Sequence, residues 1–116
     1  MKIAFRALIV AVSLALASSS AQVKPALSLS EARIEPGDVI EVHGTGFTSK
    51  RYALSHLRKP DGLEYQVRRF LTNDRGEYFQ NLDSAMLELG AHELWAIDED
   101  SKAVSDVVRF EVRAKR

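Results

Sequence analysis

Apolar and polar side chains alternate along this chain in short runs, each stopped by turn-forming residues. Ala26-Leu27-Ser28-Leu29-Ser30 alternates cleanly, the period-two pattern of a half-buried strand. Pro36-Gly37-Asp38 reads as a turn, and Val39-Ile40-Glu41-Val42-His43 follows it as a strand. Ile40 and Val42 then face inward and His43 outward. Gly44-Thr45-Gly46-Phe47 breaks that strand. Residues 52–58 form a third strand, in which Leu54 and Leu57 have opposite parity and leave the side taken by His56 open. Lys59-Pro60-Asp61-Gly62 places Pro and Gly where a tight turn needs them. Alternation resumes at Leu63 and runs to Phe70. Val67 and Phe70 differ in parity, so Arg68 and Arg69 mark an expected bulge.

Later elements follow the same logic. Residues 72–76 are a turn and residues 77–82 a fifth strand. Residues 83–89 are too few for a stable independent helix. They read as a connector of one helical turn, capped by Asp83 and ended by Gly90. Residues 92–98 form a strand, 99–102 a turn, and 103–112 a long last strand. Turn signals at this spacing predict an all-β sandwich or barrel, not a helical fold.

The first 21 residues stand apart. Lys2 and Arg6 precede a run from Ala7 to Ala17 that is apolar except for Ser13, and Ser19-Ser20-Ala21 follows. This is the pattern of a secretory signal peptide. The apolar run is short for a bilayer core of about 30 Å. The expected division is therefore a leader over residues 1–21 and one domain over residues 22–116. With no second apolar stretch of membrane length, the product is expected in the periplasm or outside the cell, without a transmembrane segment.

Composition narrows the chemistry. The chain has no Cys, which removes disulfides, thiolate catalysis and Cys-ligated zinc. Its 16 basic and 16 acidic side chains balance. The strongly basic face that nucleic-acid binding needs is therefore not expected.

Four spaced motifs carry a family likeness. They are the run from Pro36-Gly37-Asp38 to Gly44-Thr45-Gly46-Phe47, the Lys59-Pro60-Asp61-Gly62 hairpin, Thr72-Asn73-Asp74-Arg75-Gly76-Glu77-Tyr78, and Leu89-Gly90-Ala91-His92-Glu93-Leu94-Trp95-Ala96-Ile97-Asp98. In this order they resemble bacterial immunoglobulin-like domains of secreted and cell-surface proteins. The resemblance implies an immunoglobulin-like antiparallel β-sandwich of about seven strands, and says little of function, because such folds host many. His92 stands where the family usually has Tyr. It is expected to anchor a corner, as the ring of a tyrosine corner does.

The resemblance also points His92, Leu94 and Ala96 inward, and so Glu93, Trp95 and Ile97 outward. On the last strand, Val107 and Arg109 share one parity. Trp95, Ile97, Val107 and Arg109 then form one exposed apolar and cationic patch, of the residue types that dominate interfaces. The opposite parity would put Trp95 in the core.

Other chemistries have weaker support. No Gly-x-Ser-x-Gly elbow occurs, so no catalytic residue is assigned and an enzyme is not expected. His43, His56 and His92 lack paired metal-ligand spacing. A Greek-key order would gather the turns carrying Asp74, Asp98, Glu99 and Asp100 at one end, a weak calcium candidate with Lys50, Arg51, Arg75 and Lys102 close by. No cofactor is expected. The leading expectation is a non-enzymatic secreted or periplasmic module that contacts a protein partner. A carbohydrate or cell-envelope glycan is second, and a small metal-binding protein or enzyme third.

Overall fold

A computed structural model describes residues 24–115; the expected leader lies outside them. Eight strands form among the described residues: β1 (Ala26–Leu29), β2 (Arg33–Ile34), β3 (Val39–Thr45), β4 (Tyr52–Arg58), β5 (Arg68–Leu71), β6 (Tyr78–Asp83), β7 (Gly90–Asp98) and β8 (Val108–Val112). They make two sheets, one ordered β1-β3-β6 and the other β2-β8-β7-β4-β5. Strands next to each other in sequence often lie in different sheets, which is how a sandwich closes over one core.

Alternation places the core. Ile40 and Val42 on β3, Tyr78 and Leu82 on β6, and Leu94 and Phe110 on β7 and β8 are buried. Each such side chain contributes about 1.5–3 kcal/mol when taken from water. Buried Ser55 donates to Gln80 Oε1 at 2.9 Å, linking β4 of one sheet to β6 of the other. Leu27 N–H donates to Asp106 Oδ1 at 3.2 Å, a second tie between β1 and the last segment of the chain.

Several expectations need correction. β2 was not foreseen; its two residues pair parallel to β8, so the sandwich is not wholly antiparallel and has eight strands. The run from Leu63 to Phe70 is not one strand. Glu64 makes an isolated bridge to Arg58, and β5 proper begins at Arg68 opposite Ser55. Between those pairs the register shifts by one residue, so the bulge lies over residues 65–67, just before the arginine pair. Here Tyr65 turns inward, its N–H bonded to Leu57 O at 2.9 Å. The last strand is likewise divided. Val104 bridges Ile97, then the register shifts by one before Val108 pairs with Leu94. Ser105 fills the gap: its hydroxyl accepts from Ala96 N–H at 2.9 Å. The 83–89 connector is a 3-10 turn at Ser84–Met86 with Asp83 as its N-cap, as expected, but Leu87 ends it. Gly90 instead opens β7 with φ of 122°, a left-handed value, beside the Pro60 ring.

Candidate functional site

The site is built on the outer face of the five-stranded sheet. Its β4 and β7 pair antiparallel, with Leu54 opposite Ile97 and His56 opposite Trp95. Ala53, Ser55 and Leu57 take the inward positions on β4. His56, whose side the sequence leaves open, therefore shares the outward face with Leu54 and Arg58. On β7, His92, Leu94 and Ala96 are buried, and Glu93, Trp95 and Ile97 are outward and half-buried.

Trp95 is the centre of this face. The His56 imidazole stacks on it at 5.3 Å between centroids, 11° from parallel. The Arg58 guanidinium lies over the indole at 4.9 Å, within cation–π range. Arg58 also donates to Glu93 Oε1 at 3.0 Å, and Arg109 donates to Glu93 Oε2 through Nε at 3.1 Å. One carboxylate thus fixes two arginines beside the indole. His56 Nδ1 is 3.0 Å from Glu64 Oε1. Farther along, the Arg69 guanidinium sits 3.8 Å over the Tyr52 ring and donates to Glu99 at 3.0 Å.

Of the four residues expected to form the patch, Trp95, Ile97 and Arg109 lie on this face. Ile97 is next but one to Trp95 on β7, and Arg109 on β8 pairs with Glu93. Val107 is exposed beside the Leu94–Val108 pair, and exposed Val104 bridges Ile97. His56, Arg58, Leu54 and Tyr52 complete the face, and sequence reasoning does not assign them to it. The signal for them is the β4–β7 register, which no local pattern reveals.

The acidic rim is arranged differently from a cation site. The turns at 48–51, 72–76 and 98–102 do gather: Thr72 Oγ1 donates to Thr48 O at 2.6 Å, and Lys50 N–H donates to Asn73 O at 3.1 Å. Asp98 is buried, and its carboxylate is filled by donors. Oδ2 accepts from both Thr48 N–H and Thr48 Oγ1 at 2.7 Å, and Oδ1 accepts from the N–H groups of Asp100 and Ser101 at 2.9 and 3.3 Å. Burial pushes the Asp98 pKa up, but these hydrogen bonds outweigh it and hold the group below its ordinary value. Asp100 faces Arg51 at 3.5 Å, and Asp74 is exposed in its turn. No cluster of three or more His, Asp or Glu side chains that could hold a metal occurs among the described residues. His43, His56 and His92 do not converge: they occupy the outer face of one sheet, the outer face of the other, and the interior.

His92 is the anchor the sequence points to. It is fully buried, stacked between Phe110 at 5.0 Å and Tyr65 at 5.9 Å. Its Nδ1 is 3.1 Å from Gly90 O. Among the described residues no helix is long and apolar enough to cross a membrane.

The chain matches no protein-family model and no curated protein. Solved structures share its shape. The CARDB domain of the PF1109 protein from Pyrococcus furiosus, determined in complex with di-metal ions, is 12% identical with a TM-score of 0.48, over 79% of this chain and 93% of that one. Chitinase ChiW from Paenibacillus sp. str. FPU-7, a cell-surface-expressed multi-modular enzyme, is 14% identical with a TM-score of 0.50. That match covers 81% of this chain but 9% of the chitinase. At 14% identity the chitinase likeness concerns architecture alone, and the sheet order makes this protein an all-β, two-sheet β-sandwich.

Proposed function

We propose that the protein is a non-enzymatic, exported interaction module that binds a protein partner through the Trp95 face. One observation carries this reading: the indole lies on the solvent side of the sheet, with His56 and Arg58 packed on it. A solvated sheet face ordinarily alternates polar side chains outward. This one presents Trp95, Ile97, Leu54 and Val104 instead. Trp and Arg are the side chains most often found at binding hot spots, and here Glu93 holds two arginines in place before any partner arrives, which lowers the ordering cost of association. The ChiW likeness is in line with an accessory role, since a segment of similar fold sits within a multi-modular enzyme. Export rests on the leader read in residues 1–21.

A glycan on this face is the second reading. Sugar stacking uses an open aromatic plate, and the indole already carries the His56 ring and the Arg58 guanidinium. The geometry therefore favours protein contact here.

The test is a photo-crosslinker at position 107, followed by titration of the recovered, purified partner. Trp95→Ala should weaken binding at least tenfold, about 1.4 kcal/mol, and keep the melting temperature near that of the wild type. Unchanged binding overturns the reading. So does a loss of stability near the about 3–5 kcal/mol of a core Trp truncation.

A further inference from the structure

We propose that the outer face of the three-stranded sheet is a second, separate site that takes a pyranose chain, with the ring of Phe79 as its stacking platform. Phe79 is 64% exposed. It sits in a row that crosses all three strands, Ser28 on β1 opposite His43 on β3, and His43 opposite Phe79 on β6. A single exposed aromatic means little by itself; the surroundings decide the matter.

First, the ring is accessible. The His43 imidazole stacks on Phe79 at 4.6 Å and 5° from parallel, and the ring, unlike the half-buried indole that carries two groups, stays 64% exposed for a ligand. Second, a groove of about 470 Å³ runs beside it, lined by Ser28, Ser30, Glu41, His43, Phe79 and Asn81 among others. That size is within the about 300–1,000 Å³ of small-molecule sites. Third, three of its polar groups are open, while Ser30 Oγ accepts from Glu41 N–H at 2.9 Å and His43 Nε2 lies 3.4 Å from Glu77 Oε2. Among the described residues, the Ser28 hydroxyl, the Glu41 carboxylate and the Asn81 amide have no hydrogen-bond or ion-pair partner. The opposite sheet face differs: Arg58 and Arg109 share Glu93, Arg69 holds Glu99, and His56 holds Glu64.

The charge on the face selects the ligand. β1, β3 and β6 carry Glu41 and Asp83 and no Lys or Arg. Phosphate or sulfate polymers would be repelled. An added peptide strand would pair with the edges of β1 or β6 and not lie across this face, since β3 is paired on both sides. The ligand must offer an apolar face to Phe79, donors to Glu41, and groups that both donate and accept to Asn81 and Ser28. A pyranose has all three, in its C–H face and its equatorial hydroxyls. Neutral sugars and amino sugars share this chemistry.

Calorimetric titration with soluble β-1,4-linked hexasaccharides of glucose, N-acetylglucosamine and glucosamine tests it. Because Trp95 is the sole Trp of the chain and lies on the opposite face, its fluorescence reports whether a ligand has gone there instead. At least one hexasaccharide should bind with Trp95 emission unmoved and with Trp95→Ala binding like the wild type. Phe79→Ala should weaken it at least tenfold, and Asn81→Ala, at an exposed position, should weaken it severalfold at an unchanged melting temperature. Preference for the glucosamine oligomer, abolished by Glu41→Gln, identifies an ammonium at Glu41; equal binding of all three identifies hydroxyl recognition. No binding by any oligomer overturns the proposal, as does binding that survives both Phe79→Ala and Asn81→Ala or that Trp95→Ala removes. None of these outcomes depends on whether the Trp95 face binds a protein.

Discussion

Buried His92 holds its Nε2 3.3 Å from the hydroxyl of half-buried Tyr65. Gly90 O has no proton to give, so Nδ1–H donates to it and Nε2 accepts from Tyr65 O–H. The Tyr65 oxygen in turn accepts from Glu88 N–H at 3.1 Å. This chain of bonds joins β7, the segment before β5 and the connector after β6. With the imidazole neutral, every member of it is paired.

A pH dependence follows. Burial pulls the His92 pKa below its ordinary value, and the Gly90 carbonyl and the Glu88 charge offset this in part. Lys59, 3.7 Å from Glu88 and over the Tyr65 ring, is the other charge nearby. Between the lowered native value and the unfolded value of about 6.5, the unfolded chain binds more protons, so stability rises with pH across that window. It is complete above the window and falls as pH drops through it. The melting temperature should decline from pH 7 toward pH 5, and His92→Gln, with no titrating ring, should remove that part of the slope. A slope equal in the two proteins would assign it to other groups.

Asp98 predicts a second loss at more acid pH. Its carboxylate closes the turn after β7 and also clasps Thr48 at the opposite side of the rim. Hydrogen bonds to a charged group contribute about 1.5–3 kcal/mol, so Asp98→Ala should lower stability by about 2–4 kcal/mol in urea unfolding. Asp98→Asn, which keeps the shape and one acceptor, should lose roughly half as much. Because the native pKa lies below the usual value, the contribution is present above that usual value and lost as pH falls through the native one. Added calcium should leave the melting temperature unmoved, since a ligand stabilises only what it binds.

Gly76 is the backbone position least able to change. Its φ is 72°, and a Cβ there would collide with the carbonyl oxygen of Phe47. That close approach is also a pairing, because Phe47 N–H donates to Gly76 O at 3.1 Å. Gly76→Ala combines a left-handed conformation costing about 1–2 kcal/mol with a clash against backbone that cannot swing aside. A urea midpoint lowered by the equivalent of about 2–4 kcal/mol is expected. Gly62→Ala, at φ of 93° but with nothing near its Cβ, should lose less, and the difference between the two isolates the clash.

What the sequence shows and what it hides divide along one line. Strands whose burial depends on local alternation, such as β3, β6 and β7, are legible because every second residue must leave water. The direction of Trp95 does not follow from parity alone, which leaves both faces open to it; the resemblance implies the outward one. The breaks at 65–67 and 105–107 follow from neither, since Tyr65 leaves the alternation to reach His92 and Ser105 leaves it to bond Ala96, both contacts remote in sequence. β2 has two residues, too few for any period. His56 and Arg58 join Trp95 only through inter-strand register, and the Asp98 clasp uses Thr48, fifty residues away. Local pattern records faces; it does not record which faces meet.

The Ser55–Gln80 bond tests how the two sheets are held in register. Both side chains are buried in an otherwise apolar layer, and the hydroxyl donates to Gln80 Oε1 at 2.9 Å. Nearby, burial pushes the pKa of the Tyr78 hydroxyl up to about 12, offset in part by Ser55. In such surroundings a bond adds a modest net stabilisation, but an orphaned partner costs about 1–3 kcal/mol. Gln80→Leu alone removes the acceptor of the Ser55 hydroxyl and leaves it the Tyr78 hydroxyl, and Ser55→Ala alone strands the Gln80 oxygen. Each should destabilise by about 1–3 kcal/mol. The double variant strands neither and refills the space with apolar atoms, so it should lose less than the sum of the singles by about 0.5–3 kcal/mol. Urea unfolding of the four proteins gives that coupling directly. Strictly additive losses would mean that the two groups do not depend on each other, and that packing alone sets how β4 lies over β6.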